Sequence, residues 1–245
     1  MKRPPVVLIT GSSRGVGRAC AIEFARLGCL VVINGAHNKE ALENTKAQIL
    51  ALGGQCAAIF SDVSTLNGAH DFISNAKKTF GEIDILINNA GISHIGLLTD
   101  MTSDDWNKIL HTNLSSVFYC CQEVIPSMIQ KKSGRILNIS SVWGICGASC
   151  EVAYSATKGG INAFTMALAK ELAPSGISVN AVALGAVDTE MNAFLSTEER
   201  NALIDEIPAG RLAKPQEAAK FIYEIAMQTN SYMTGQVIRF DGGWL

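Results

Sequence analysis

Of the four tyrosines in the chain (Tyr119, Tyr154, Tyr223 and Tyr232), only Tyr154 has a lysine four residues on, Lys158. Residues at that spacing share one face of a helix. A free phenol has a pKa near ~10, and an ammonium beside its oxygen favours phenolate, so such a pair brings proton exchange nearer to neutrality. A lone Tyr-x-x-x-Lys is common by chance and is usually a surface coincidence. Here the neighbourhood adds weight. Ser140 and Ser141 follow the apolar run Arg135–Ile139, read as a strand, and Asn113 lies in the long helical stretch before it. Both would reach the same rim of a sheet as Tyr154.

A second constellation lies near the N-terminus. Thr10-Gly11-Ser12-Ser13-Arg14-Gly15-Val16-Gly17 follows the apolar run Val6–Thr10 and precedes an amphipathic stretch, Val16–Leu27. Binding a pyrophosphate needs a tight turn, a backbone the anion can approach, and a helix N-terminus whose free N–H groups face it. Glycines at 11, 15 and 17 fit that need. Glycines alone would mean no more than a turn, but strand before and helix after predict a dinucleotide loop.

The choice of dinucleotide turns on the end of the second strand, where a carboxylate would accept hydrogen bonds from a ribose 2′-OH. Ile33-Asn34-Gly35-Ala36-His37-Asn38 has none. A 2′-phosphate instead calls for cations, and Arg14 is placed for a charge-assisted contact, with Asn34, His37 and Asn38 beside it. The competing reading of Arg14 is a solvated surface arginine. NADP(H) is therefore expected over NAD(H). Asp62-Val63 ends the third strand, where Asp62 would meet the adenine edge or else cap the next helix with Ser64. Asn88-Asn89-Ala90-Gly91 ends the fourth; its small residues would let the backbone lie against the cofactor, and Asn88 also reads as a turn-stabilising side chain.

The elements that must position these residues alternate from end to end. Strands are expected at Leu30–Asn34, Cys56–Phe60, Ile83–Asn88, Ser178–Ala183 and Gln236–Phe240, besides the two already named. Helices are expected at Glu40–Leu52, Leu66–Phe80, within Trp106–Lys131, at Ala153–Leu172 and at Pro215–Met227, with short helices and loops across 190–214. Unbroken β-branched runs indicate strands covered on both faces. The fold class is α/β, a doubly wound parallel sheet of Rossmann type, in a single domain spanning 1–245, with a substrate loop near 186–214.

Composition narrows the function. An apolar fraction of 48%, a charged fraction of 17% and a net charge of −2 describe a globular chain without a nucleic-acid footprint. Seven cysteines lack a C-x-x-C pair and metal-ligand spacing, so no metal is expected and the thiols read as buried and reduced, with Cys120–Cys121 and Cys150 as the redox-active alternative. No signal peptide or membrane span is legible, which predicts a cytoplasmic protein.

These motifs resemble the short-chain dehydrogenase/reductase family: T-G-S-S-R-G-V-G, N-N-A-G, the Asn of Thr112-Asn113-Leu114, I-S-S at 139–141, Y-S-A-T-K at 154–158, and Asp241-Gly242-Gly243 near the end. The resemblance runs essentially the full length. It implies a catalytic set of Asn113, Ser141, Tyr154 and Lys158. Tyr154 would protonate the carbonyl oxygen as a nicotinamide delivers hydride. Lys158 would depress the phenol and hold the nicotinamide ribose, Ser141 would orient the substrate, and Asn113 would hold a water linking Lys158 to solvent. Ser140 is the alternative orienting serine, but the family places that serine thirteen residues before the Tyr, at Ser141. The implied cofactor contacts are Gly11, Ser13, Arg14, Gly15, Val16, Gly17, Asn34, His37, Asp62, Val63, Asn89, Ala90, Gly91, Tyr154, Lys158, Gly185, Val187 and Thr189. Leu184 stands where the family commonly has proline, which predicts a looser loop over the nicotinamide. A homotetramer packed through helices around 106–131 and 153–172 is also implied.

Two substrates compete. The overall pattern, including Ile207-Pro208-x-Gly210-Arg211, is similar to bacterial 3-oxoacyl-carrier-protein reductases. An acidic carrier wants a basic rim, and Lys131, Lys132 and Arg135 would supply it unless they are a solvated helix end. The stretch Ser141-Val142-Trp143-Gly144, the segment 147–152 and the ending Gly242-Gly243-Trp244 resemble a narrower subgroup, the elongation factor P 5-aminopentanone reductases, which act on a ketone carried by a modified lysine. Glu151 would then sit at the pocket mouth to pair with an ammonium, with His94 on its border; otherwise Glu151 caps a helix and meets only water. A dinucleotide sensor without chemistry is the rival from another class.

Overall fold

The computed structural model describes residues 3–193, 195–228, 230 and 232–245. Seven strands form one sheet in the order β3-β2-β1-β4-β5-β6-β7, with every pairing parallel. They are β1 (Val6–Ile9), β2 (Leu30–Gly35), β3 (Gln55–Phe60), β4 (Ile85–Asn88), β5 (Gly134–Ser141), β6 (Ile177–Leu184) and β7 (Val237–Phe240). The helices are α1 (Gly15–Arg26), α2 (Lys39–Ala51), α3 (Leu66–Phe80), α4 (Ser103–Leu110), α5 (Ser116–Lys131), α6 (Trp143–Cys146), α7 (Val152–Leu172), α8 (Thr197–Glu206) and α9 (Pro215–Ala226). This is the doubly wound arrangement expected of the sequence.

β1 shows why its unbroken apolar run is needed. Val7 and Ile9 enter a core with α1, α2 and α9, while Val6 and Leu8 enter a second core with α3, α5 and α7. A strand buried on both faces leaves no position for a polar side chain. The order in which strands are added to the sheet reverses between β1 and β4, and the crevice beyond their carboxyl ends is where a sheet of this kind binds ligands.

The long stretch 106–131 is one helical path broken by a π-helical turn at His111–Ser115. Asn113 lies in that turn and is fully buried. The 190–214 region holds a short 3₁₀ turn at Glu190–Asn192, then α8, whose Ser196 and Glu199 form a capping box. The segment after Leu184 is tied at several points. The Leu184 carbonyl accepts from Val142 N at 3.0 Å, and Val187 bridges Ala213, with Asp188 N donating to Ala213 O and Ala213 N to Ala186 O. Among the described residues no helix is long and apolar enough to cross a membrane.

Candidate active site

The loop after β1 is locked from three sides. Thr10 Oγ1 accepts from Asn89 N and Ala90 N, both at 2.9 Å, while Asn89 Nδ2 donates to Thr10 O and Gly11 O. Ser12, fully buried, donates to Ile9 O and accepts from Asn34 N. A Cβ on Gly17 would collide with Gly11 O and Asn89 Nδ2, and one on Gly11 would meet Ala90 Cα at 2.8 Å. The glycines thus let the loop fold onto the end of β4. Gly15 faces Thr189, whose Cγ2 would lie 3.6 Å from an added Cβ, so the segment after β6 rests on the same loop.

This cradle fits an anion. Arg14 occupies the N-cap position of α1 without a side-chain capping bond, and the first turn holds no acidic residue. The N–H groups at that end are therefore left without a capping side chain.

Several expected contacts are revised. Asn34 is buried and its amide is engaged: Oδ1 accepts weakly from Gly11 N, and Nδ2 donates to Ser61 O and Oγ. It ties three strand ends together and does not reach outward. Asn38 caps α2 by accepting from Ala41 N. Arg14 and His37 are both exposed on this rim, beside Gly35 and Ser13. Asp62 accepts from Ser64 N in a turn, but the cap of α3 is Thr65, which accepts from Gly68 N. Val63 is core, leaving only its backbone for a ligand. Asn88 links strands instead of a turn, donating to Asn138 Oδ1 at 2.9 Å.

Asn113, Ser141, Tyr154 and Lys158 are all buried at the carboxyl end of β4 and β5. The first turns of α7 carry Tyr154 and Lys158, and Lys158 Nζ lies 5.5 Å from the centre of the Tyr154 ring. Nζ donates to Ile139 O at 2.8 Å. Burial pushes the Tyr154 phenol up to about 12; the Ser141 hydroxyl pulls it down and the Glu151 carboxylate pushes it further up. Burial also lowers Lys158 to about 8. The expected depression of the phenol by Lys158 is not seen: the ammonium is directed at a backbone carbonyl, and burial raises the phenol instead. Asn113 does not offer a free amide to water. Its Oδ1 accepts from Ile92 N at 2.8 Å, and its Nδ2 donates to Ile92 O at 2.9 Å and Thr157 Oγ1 at 3.2 Å. Ser140 Oγ donates to the backbone carbonyl of Lys158 at 3.3 Å.

One wall of the pocket was only partly legible. The one-turn helix α6 packs on α7 at Gly144, where a Cβ would strike the Lys158 backbone at 2.6 Å, and Asn162 Nδ2 donates to Gly144 O. Trp143 and Trp244 meet edge to face with ring centres 4.7 Å apart. Glu151 stands at the N-cap of α7 but makes no capping bond; it is half-buried, which raises its pKa, and the Trp143 indole N–H pulls the other way. His94 lies on the loop whose Gly96 N donates to Cys150 O, next to Glu151. No spacing rule marks the Trp143–Glu151 approach, because α6 is too short to show a period.

Lys131, Lys132 and Arg135 do not line this rim. Arg135 is the second residue of β5 and Ser141 the last, which separates them by about 20 Å. Lys131 is bonded to Asp84 and Ile83 O. Five of the cysteines are buried, and burial raises their thiols: Cys29 to about 11, Cys56 and Cys121 to about 12, and Cys20 and Cys120 further still. They are packing residues. Cys146 is exposed and Cys150 half-buried.

A switch-point crevice, a glycine cradle at a helix N-terminus and a Ser/Tyr/Lys cluster on its rim define an NAD(P)-dependent oxidoreductase. The chain belongs to the short chain dehydrogenase family, which it matches over residues 5–200. It is 40% identical over 239 residues to a 3-oxoacyl-[acyl-carrier-protein] reductase of Synechocystis, covering 97% of this chain and 96% of that one. It is 40% identical over 238 residues to the uncharacterized oxidoreductase YmfI of Bacillus subtilis, covering 97% of each. Identity to the 3-oxoacyl-[acyl-carrier-protein] reductase FabG of Thermotoga maritima is 39% over 238 residues, covering 97% and 96%.

Proposed function

We propose that the protein is an NADPH-dependent ketone reductase in which Tyr154 is the proton donor. The observation that carries this reading is the burial of Tyr154 against Ser141 with Lys158 on the same helix face. With Tyr154 at about 12 and Lys158 at about 8, both hold their protons at pH 7. Bound NADPH would supply the hydride to the carbonyl carbon. The Tyr154 hydroxyl gives its proton to the carbonyl oxygen, Ser141 orients that oxygen, and the Lys158 ammonium stabilises the phenolate left behind. Gly11 through Gly17 would hold the pyrophosphate, Arg14 and His37 the 2′-phosphate, Asp62 and Val63 the adenine side, and Ala90, Gly91, Gly185, Val187 and Thr189 the nicotinamide side. The 186–214 segment would close over the substrate. Tyr154→Phe should lower turnover by roughly 10²–10⁴-fold with NADPH binding intact. Ketone reduction persisting near the unmutated rate in that variant would refute the mechanism, whereas no reduction of any activated ketone by the unmutated protein would favour a sensor.

For the substrate, we take a 3-oxoacyl thioester on acyl carrier protein as the first reading, supported by the names of relatives 39–40% identical along nearly the whole chain. A specific observation favours a second. Glu151, desolvated beside Trp143 and Trp244, gives a neutral thioester nothing to pair with but suits a ketone that bears an ammonium, such as a 5-aminopentanone group on a modified lysine of elongation factor P. Rates for the unmutated enzyme and Glu151→Gln, on an amino-ketone and on a 3-oxoacyl thioester of similar length, decide between them. A selective loss on the amino-ketone, roughly tenfold or more, establishes the second reading. An equal effect on both leaves the first.

A further inference from the structure

Thr157 lies between Tyr154 and Lys158 in α7, is almost fully buried, and is not among the groups that would touch cofactor or substrate. Its hydroxyl donates to Tyr154 O at 2.8 Å. A hydroxyl has one proton, so toward Asn113 Nδ2, 3.2 Å away, it can only accept. This fixes the polarity of a chain of bonds. Asn113 Nδ2 has two protons, one given to Ile92 O and the other to Thr157, while Oδ1 accepts from Ile92 N. The amide therefore clamps the backbone of Ile92, directly after the Asn88–Gly91 turn, and Thr157 fastens that clamp to the turn of α7 that carries Tyr154 and Lys158. Gly91 is where the two meet: an added Cβ would lie 3.4 Å from Asn113 Oδ1 and 3.6 Å from Lys158 Nζ.

From this geometry we infer that Thr157 is a positioning residue for ketone reduction: its hydroxyl, and not its shape, sets the register between the π turn bearing Asn113 and the Tyr154–Lys158 face. The inference rests on the assignment of Tyr154 as proton donor. A valine is nearly isosteric with threonine but leaves one Asn113 N–H facing a methyl in a dry site, so the amide must turn or the turn must shift. Misplacement of that order on the reacting face reduces the chemical step more than binding.

The test compares Thr157→Val, Thr157→Ser and Tyr154→Phe with the unmutated protein, reading kcat, KM for NADPH and melting temperature. The expected result is that Thr157→Val lowers kcat by roughly 10–100-fold with KM for NADPH changed less than about threefold. Thr157→Ser, which keeps the hydroxyl and loses a methyl, should return kcat to within about threefold of the unmutated value even if its melting temperature falls as far as that of the valine variant. The inference is overturned if Thr157→Val keeps the unmutated kcat, or if serine loses as much kcat as valine, which would make the role one of packing. If Tyr154→Phe retains turnover, the proton-donor assignment fails and this inference with it; if Tyr154→Phe is inactive while Thr157→Val is not, only the inference fails.

Discussion

An ammonium buried at Lys158 destabilises the folded chain, and pH gives the sign of the effect. Burial lowers its pKa from 10.5 to about 8, so between those values the unfolded chain binds a proton that the folded chain does not. The contribution of Lys158 to stability therefore rises as pH climbs through that window and is least favourable below it. Lys158→Met should be inactive yet more stable than the unmutated protein at pH 7, by about 1–3 kcal/mol once the lost bond to Ile139 O is allowed for. Thermal unfolding at pH 7, 8.5 and 10 checks this: the advantage of the methionine variant should shrink with pH, and a constant difference would contradict the sign. Arg14 makes the opposite kind of claim, since it is exposed and makes no capping bond where it stands. If it meets a 2′-phosphate, NADPH should be preferred over NADH by roughly tenfold or more, and Arg14→Ala should erode that preference through KM. Equal kcat/KM for the two dinucleotides in the unmutated protein would remove the basis for the NADPH reading.

At the scale of elements, what the sequence made visible was what has a period or a continuous apolar run. The central strands were legible because Val6–Ile9, the body of β2 and Ile85–Asn88 are buried on both faces and admit no alternation, while the edge strands β3 and β7 are only partly buried. Tyr154, Lys158 and Ser141 were legible because strand end and helix start fix where they emerge. The π turn at His111–Ser115, in which Asn113 is fully buried, was not, since one added residue shifts a helical period without interrupting it. Nor was α6, with four residues. Asn34 and Asn89 could be placed at the rim but not oriented: whether an amide there faces a ligand or the loop behind it depends on contacts 23–79 residues away in sequence.

The whole molecule leaves Trp106 on α4, Phe118 and Ile129 on α5, and Val152 and Met166 on α7 exposed. Exposed large apolar side chains on these helices are what a partner subunit would cover. We expect a homotetramer, with a mass by light scattering of four times the 26.1 kDa protomer, shifted to smaller species by Phe118→Lys. A monomer at micromolar concentration would contradict this. The same distinction between framework and surface applies to the segment 143–151. What fastens it to its surroundings is main chain: Trp143 N to Ser141, Gly144 O to Asn162, Ala148 N to Ser155, and Cys150 O to Gly96. Gly144 must stay small, Cys146 Sγ donates to Val142 O and Trp143 packs on Trp244, but Ser149 and Glu151 make side-chain bonds only within the segment. The segment therefore reads as an exchangeable cassette, in which the side chains that would meet the substrate can be rewritten while the Ser141, Tyr154 and Lys158 cluster beneath keeps its place. A lineage, or an engineer, can change what this scaffold reduces without re-inventing how it reduces it.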